Sequence, residues 1–174
     1  MAWITKNSAT QQIDRRDEPY LSDDLRAELE RDVMPRYPTR QAATLPVLHA
    51  LQEKHGWLPY QSIEEAADFL GLNASVVLDT ATFYEEFWLQ PKGRYVVWIC
   101  QSISCELLGS PSLLDAVRDK LGVGVGETTE DGKFTLMSVE CLGSCGSGPV
   151  ALVNEDLHEH LTFDNFAEVL DRLD

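Results

Sequence analysis

The sequence has little positive charge and no long apolar run. Its 174 residues include 14 Lys and Arg against 29 Asp and Glu, so the formal net charge is −15. Nucleic acids and anionic membranes bind clustered basic side chains, so this balance argues against both as partners. A membrane-spanning helix needs about 20 mostly apolar residues in succession, and the opening residues lack the basic and apolar regions of a signal peptide. We therefore expect a cytoplasmic protein.

Cysteine is also scarce, and its spacing excludes the commonest motifs. The four cysteines form two pairs, Cys100 with Cys105 and Cys141 with Cys145, and 35 residues separate the pairs. In a reducing compartment they are not expected to form structural disulfides. The C-x2-C spacing that is typical of zinc knuckles and thioredoxin-like redox enzymes is missing.

The first half of the chain predicts helices. Residues 1–20 show no sustained periodicity, which predicts a loose arm, and residues 21–92 predict a helical domain. Its expected helices run from the N-cap Ser22 to about Met34, from Gln41 to His55, from a capping box of Ser62 and Glu65 to Gly71, and from the cap Asn73 to Phe83.

The second half, residues 93–174, predicts an α/β domain. The expected strands are 95–99, 134–139 and 150–153, and the expected helices begin at the caps Ser110 and Thr162. This order, β-α-β-β-α, is typical of a thioredoxin-like sandwich. The fold class is therefore α/β, or α+β over the whole chain, with a helical bundle first.

Each cysteine pair begins where a predicted strand ends. Strand ends of one sheet lie side by side, so four thiolates can converge there. The spacing favours a [2Fe–2S] cluster, in which each iron takes two thiolates. A structural zinc site remains a competing interpretation, as do a redox disulfide and four buried thiols.

The loops around the pairs suggest how such a cluster would be tuned. Gly143 and Gly146 allow backbone N–H groups to approach sulfur, and Ser144 adds a hydroxyl donor. We hypothesise that Glu140, next to Cys141, disfavours reduction by like-charge repulsion. No glycine-rich nucleotide motif follows a strand, so the chain alone is not expected to bind NADH or FMN, and no catalytic residue is assigned.

Several segments resemble the family of E subunits of bacterial NADH-quinone oxidoreductase, respiratory complex I. The resemblance spans about residues 43–170. The matching segments are Leu45-Pro46, His55-Gly56-Trp57-Leu58-Pro59, Ala81-Thr82-Phe83-Tyr84, Val139-Glu140-Cys141-Leu142-Gly143-Ser144-Cys145, Gly148-Pro149 and His160-Leu161-Thr162.

The resemblance implies a thioredoxin-like domain that binds one [2Fe–2S] cluster through Cys100, Cys105, Cys141 and Cys145. It also implies an electron carrier within a proton-translocating NADH:quinone oxidoreductase, docked on a flavoprotein that holds FMN and NADH and on other peripheral-arm subunits. The expected location is the cytoplasmic face of the inner membrane. Two alternatives stay open: the equivalent subunit of an NAD-linked formate dehydrogenase or hydrogenase, and a zinc-stabilised binding module without redox function.

Overall fold

The computed structural model describes residues 15–173, and the first 14 residues of the predicted arm lie outside that range. The chain divides into two compact units between Pro91 and Lys92. Within the described range, no helix has the length and apolar character needed to cross a membrane.

The first unit is helical and is built around an aliphatic core. Its elements are α1 (Asp23–Glu28), a π-helical turn (Leu29–Val33), two 3-10 turns (Met34–Arg36 and Gln41–Ala43), α2 (Thr44–His55), α3 (Tyr60–Leu70) and α4 (Ala74–Phe83). Buried side chains from these helices form one cluster, including Leu29, Val47, Leu51, Ile63 and Leu70. The expected N-cap is confirmed, since Ser22 Oγ accepts a hydrogen bond from Leu25 N.

The capping box predicted at Ser62 and Glu65 is wrong. Helix α3 begins earlier, at Tyr60, and Pro59 occupies the N-cap position. The Ser62 hydroxyl donates to the Pro59 carbonyl at 2.7 Å, and the Glu65 carboxylate accepts from the backbone N–H of Leu21 at 2.8 Å. Both side chains therefore have other partners, and one of these lies 44 residues away in the chain.

The second unit is a five-stranded sheet with helices. Its elements are β1 (Tyr95–Cys100), α5 (Ile103–Leu107), α6 (Ser110–Leu121), β2 (Glu127–Thr128), β3 (Phe134–Val139), a 3-10 turn (Cys145–Ser147), β4 (Ala151–Val153), β5 (Asp156–His158) and α7 (Phe163–Asp171). The strand order is β2-β3-β1-β4-β5. Strands β1 and β3 are parallel, and the other neighbours are antiparallel. The α/β prediction is confirmed.

Helix ends in this unit agree with the sequence at α7 and differ at α6. Thr162 and Asn165 form a reciprocal capping box at the start of α7. The predicted N-cap Ser110 is instead the first residue of α6, after Gly109. Its buried hydroxyl donates to the carbonyl of Cys100. The Ser110 side chain therefore makes a tertiary hydrogen bond to the end of β1 in place of the predicted capping bond.

Candidate metal centre

The parallel pairing of β1 with β3 brings the two cysteine pairs to one edge of the sheet. Cys100 is the last residue of β1 and lies opposite Val139, the last residue of β3. Cys141 follows Val139 with only one intervening residue. Both pairs therefore start at adjacent strand ends, where polar loops of α/β sheets commonly bind ligands.

The first pair is buried. Cys100 and Cys105 are 2% and 1% exposed, and they pack with Val150 and the partly buried Leu142. Cys105 lies on α5, shortly after the end of β1, and belongs to the same buried cluster as Cys100. Burial, and next the neighbouring Cys100 thiol, raises the pKa of the Cys105 thiol. A bound metal ion would be needed to hold this sulfur as a thiolate near neutral pH.

The second pair is exposed and is surrounded by hydrogen-bond donors. The backbone N–H of Gly143 donates to Cys141 Sγ at 3.3 Å, and Gly143 has φ +78°, a conformation that favours glycine. The Gly143 N–H is the largest cause that lowers the pKa of the Cys141 thiol, and contacts with Cys145 and the Ser102 hydroxyl act in the same direction. These groups stabilise a thiolate.

The two pairs meet across α5 and the turn Cys145–Ser147. The charge of Cys145 acts on Cys105 in the direction that raises the pKa of the Cys105 thiol. Gly148 closes the site from one side, because a Cβ atom there would lie 3.2 Å from Cys105 Sγ and 3.0 Å from Leu108 Cδ1. The backbone at Gly148 thus approaches the buried pair more closely than a larger residue would allow.

The chemistry of the four thiols fits a [2Fe–2S] cluster. Cys100 and Cys105 lie in one buried cluster, and Cys141 and Cys145 lie in the loop that follows β3. Within residues 15–173, no three His, Cys, Asp or Glu side chains lie close enough together to hold a single metal ion, so the fit rests on the type and number of the donors. Two pairs of thiolates are the donor set of a [2Fe–2S] cluster.

The predicted tuning residues lie around this site in different settings. The Glu140 carboxylate is exposed and accepts a hydrogen bond from Gln101 Nε2 at 3.1 Å. Gly146 lies in the turn with open space around it. The Ser144 hydroxyl donates to the Glu159 carboxylate at 2.5 Å. Glu159 was missed by sequence reasoning, because it lies 15 residues from Ser144 and follows β5, a strand of only three residues.

Sequence comparison identifies relatives over most of the chain. The model of the thioredoxin-like [2Fe–2S] ferredoxin family matches residues 31–174. The NADH-quinone oxidoreductase E subunit of Escherichia coli is 40% identical over 80% of this chain and 84% of its own length. The E subunit numbered 2 of Rhizobium meliloti is 45% identical over 72% of this chain and 75% of its own. The E subunit of Pseudomonas aeruginosa is 36% identical over 87% of this chain and 90% of its own length.

Structural comparison agrees on the fold. A chain of an NAD+-reducing [NiFe]-hydrogenase superposes with a TM-score of 0.63 and 21% sequence identity. The match covers 73% of this chain but only 22% of the hydrogenase chain. At this identity the likeness concerns the fold alone.

Proposed function

Because the chain belongs to the thioredoxin-like [2Fe–2S] ferredoxin family, we propose that it is the electron-carrying E subunit of an NADH-quinone oxidoreductase. Cys100, Cys105, Cys141 and Cys145 would bind its one [2Fe–2S] cluster. The observation that carries the proposal is the convergence of two thiol pairs at the shared edge of β1 and β3. Relatives that carry the E-subunit name cover most of this chain at 36–45% identity.

The residues of this chain hold the cluster and set its surroundings. When bound, a [2Fe–2S] cluster accepts and returns one electron at a time. The Gly143 N–H donates to Cys141 Sγ, the Ser102 hydroxyl also lowers the pKa of that thiol, and hydrogen bonds to sulfur stabilise the more negative, reduced state. The buried pair, Cys100 and Cys105, keeps water from the other side of the site. The chain needs no substrate pocket or proton transfer for this task.

An exposed apolar surface beside the buried pair supports docking of a partner. On α5, Ile103 is 72% exposed and Leu107 is 83% exposed, and Leu108, just after the helix, is 56% exposed. Ile103 and Leu107 are four residues apart and share one side of the helix. We call Ile103, Leu107 and Leu108 the α5 patch. Leu108 also lies against the backbone of Gly148 beside Cys105, so a protein that covers the patch approaches the cluster.

The charge of the second unit indicates the chemistry of that partner. Residues 93–174 contain 14 Asp and Glu against five Lys and Arg, and Glu106 lies on α5 itself. A complementary face would present an apolar centre surrounded by basic side chains. We assign this face to the flavoprotein subunit that holds FMN and binds NADH. Through that complex the chain would lie at the cytoplasmic face of the membrane.

Metal and sulfide analysis tests the cofactor directly. The purified chain should contain about two irons and two acid-labile sulfides, because a [2Fe–2S] cluster has that composition. Reduction with dithionite should produce an EPR signal, since the reduced cluster has an unpaired electron. Zinc without sulfide would contradict the proposal and support the zinc-stabilised binding module. Co-purification with the flavoprotein of a formate dehydrogenase or a hydrogenase would instead show that the chain belongs to that enzyme complex.

The Glu140→Gln variant should have a higher midpoint potential than the wild type. Its carboxylate lies next to the ligand Cys141, so removing its negative charge makes the added electron less unfavourable. Because the side chain is exposed, the expected shift is modest, roughly 20–40 mV. EPR-monitored potentiometry measures it.

Glu130→Gln is the matched control for this variant. Glu130 is an exposed carboxylate in the β2–β3 connection, at the opposite end of β3 from Cys141. Charges separated by more than about 8–10 Å are largely screened at physiological salt, so its midpoint should stay at the wild-type value. An unchanged or lower midpoint for Glu140→Gln would reject the repulsion hypothesis.

A further inference from the structure

Glu159 contacts both ends of the turn that carries Cys145. Its Oε1 atom accepts a hydrogen bond from Ser144 Oγ at 2.5 Å and another from the Ser147 hydroxyl. The two hydroxyl oxygens are 2.7 Å apart. Ser144 immediately precedes the turn Cys145–Ser147, and Ser147 ends it. One oxygen of the Glu159 carboxylate therefore links Ser144 and Ser147, the residues that precede and follow Cys145.

The turn has few internal interactions. The backbone N–H of Ser147 donates to the Ser144 carbonyl at 3.2 Å, and the side chain of Ser144 makes no capping hydrogen bond. The Ser147 hydroxyl also lies 3.2 Å from that carbonyl, but its single proton is donated over the shorter contact to the Glu159 carboxylate. Gly146 contributes no side chain and has a larger conformational entropy to lose than other residues. External contacts must therefore restrict this segment, and Glu159 provides two of them.

Glu159 itself lies on a well-anchored segment. The backbone N–H of the next residue, His160, donates to the Ser147 carbonyl at 2.7 Å, and that of Leu161 donates to the Pro149 carbonyl at 3.0 Å. Leu161 is buried in the core of the second unit. The Asn165 amide, part of the α7 capping box, donates to the His160 carbonyl at 3.1 Å. The backbone that follows Glu159 is thus fixed relative to the sheet and α7.

The carboxylate is also in the right protonation state to act as an acceptor. The hydroxyl of Ser144, followed by that of Ser147, holds the pKa of Glu159 below its usual range, and the neighbouring His160 acts in the same direction. An ionised carboxylate only accepts hydrogen bonds, so both serine hydroxyls must donate to it. Hydrogen bonds to a charged acceptor are stronger than neutral ones.

We propose that Glu159 is a positioning residue for the cluster: it fixes the Ser144–Ser147 segment through two serine hydroxyls and thereby holds the sulfur of Cys145 in place. The proposal rests on Cys145 being a cluster ligand. Groups that orient metal ligands typically change metal affinity about 10–100-fold when they are removed. Glu159 acts here on the loop that carries the ligand and does not itself contact a sulfur.

The test measures cluster retention and the EPR spectrum of the holo-protein. Glu159→Ala should lose its cluster to a strong iron chelator about ten times faster than the wild type and should show a broadened EPR signal. Glu159→Gln keeps an acceptor oxygen and should restore most of the retention. The Ser144→Ala/Ser147→Ala double variant should resemble Glu159→Ala, and adding Glu159→Ala to it should cause little further loss, because all three changes remove one network.

Glu155→Ala is the matched control. It removes a carboxylate from the turn before β5 without touching the serines, and it should retain its cluster as the wild type does. Wild-type retention and spectrum in Glu159→Ala, or equally fast loss in Glu155→Ala, would overturn the positioning role while leaving the cluster intact. A wild-type chain without iron and sulfide would instead overturn the proposed function itself. The serine double variant keeps the test decisive if Glu159→Ala fails to fold.

Discussion

The Cys105→Ala and Cys141→Ala variants should each be purified almost without iron and sulfide. Each change removes one of the two thiolates that one iron would receive, and alanine offers no replacement donor. We expect the iron content to fall below about a tenth of the wild-type value and the reduced-state EPR signal to disappear. Iron and sulfide assays with EPR measure both effects.

These two variants examine the two pairs separately. Cys105 is buried and Cys141 is exposed, so a site formed by the buried pair alone would be lost only in Cys105→Ala. Loss in both variants requires that the pairs act together. The opposite result, full iron and sulfide in Cys141→Ala, would remove the exposed pair from the proposed ligand set.

Ser104→Ala is the control for local disturbance of α5. Ser104 precedes Cys105 on the same short helix and is partly buried, and its replacement leaves all four thiols in place. It should retain wild-type iron and sulfide. Circular dichroism of the cysteine variants should retain the helical signal, because the main cores of both units are mostly aliphatic and form clusters separate from the one that contains Cys100 and Cys105.

The placement of the site was predictable because it depends on strongly patterned strands. The β-branched and aromatic run Tyr95–Cys100 and the run Phe134–Val139 are found as β1 and β3. A cysteine at the end of one strand and another just after the other strand suffice to predict convergence, provided that the strands are parallel neighbours. The parallel pairing of the two strands is expected from the thioredoxin-like order of helices and strands, and the cysteines alone do not predict it.

The short helix α5 was not predictable from periodicity. Its apolar side chains Ile103 and Leu107 point to solvent, while the side chain that packs inward is Cys105. A helix of five residues has no repeated apolar face by which it can be recognised. The positions of the α5 patch and of the buried Cys105 therefore follow from the folded structure and not from the sequence pattern.

The contacts of Glu159 were unpredictable for a different reason. Its partners Ser144 and Ser147 lie 15 and 12 residues earlier in the chain, and the β4–β5 hairpin brings them together. Sequence patterns identify local caps, such as Thr162 with Asn165, because those partners are three residues apart. Side-chain contacts across a folded loop have no such fixed spacing.

The Leu107→Glu variant should bind the flavoprotein subunit roughly 30–100-fold more weakly than the wild type, a loss of about 2–3 kcal/mol. Leu107 is the most exposed side chain of the α5 patch, and the change places a carboxylate where an apolar contact is expected. Isothermal titration calorimetry with the purified flavoprotein of the same organism measures the affinity. The iron content and EPR signal should remain those of the wild type, because the side chain points away from Cys105.

Leu157→Glu separates a specific contact from a general effect of added charge. Leu157 is 43% exposed on β5, at the edge of the same sheet, and this variant should bind within a few-fold of the wild type. Raising the salt concentration should weaken the wild-type complex, because the carboxylates of the acidic second unit are expected to face basic side chains. Unchanged affinity for Leu107→Glu, with the cluster intact, would show that the flavoprotein docks elsewhere. Equal losses in both leucine variants would mean that added negative charge, rather than the α5 patch, weakens the complex.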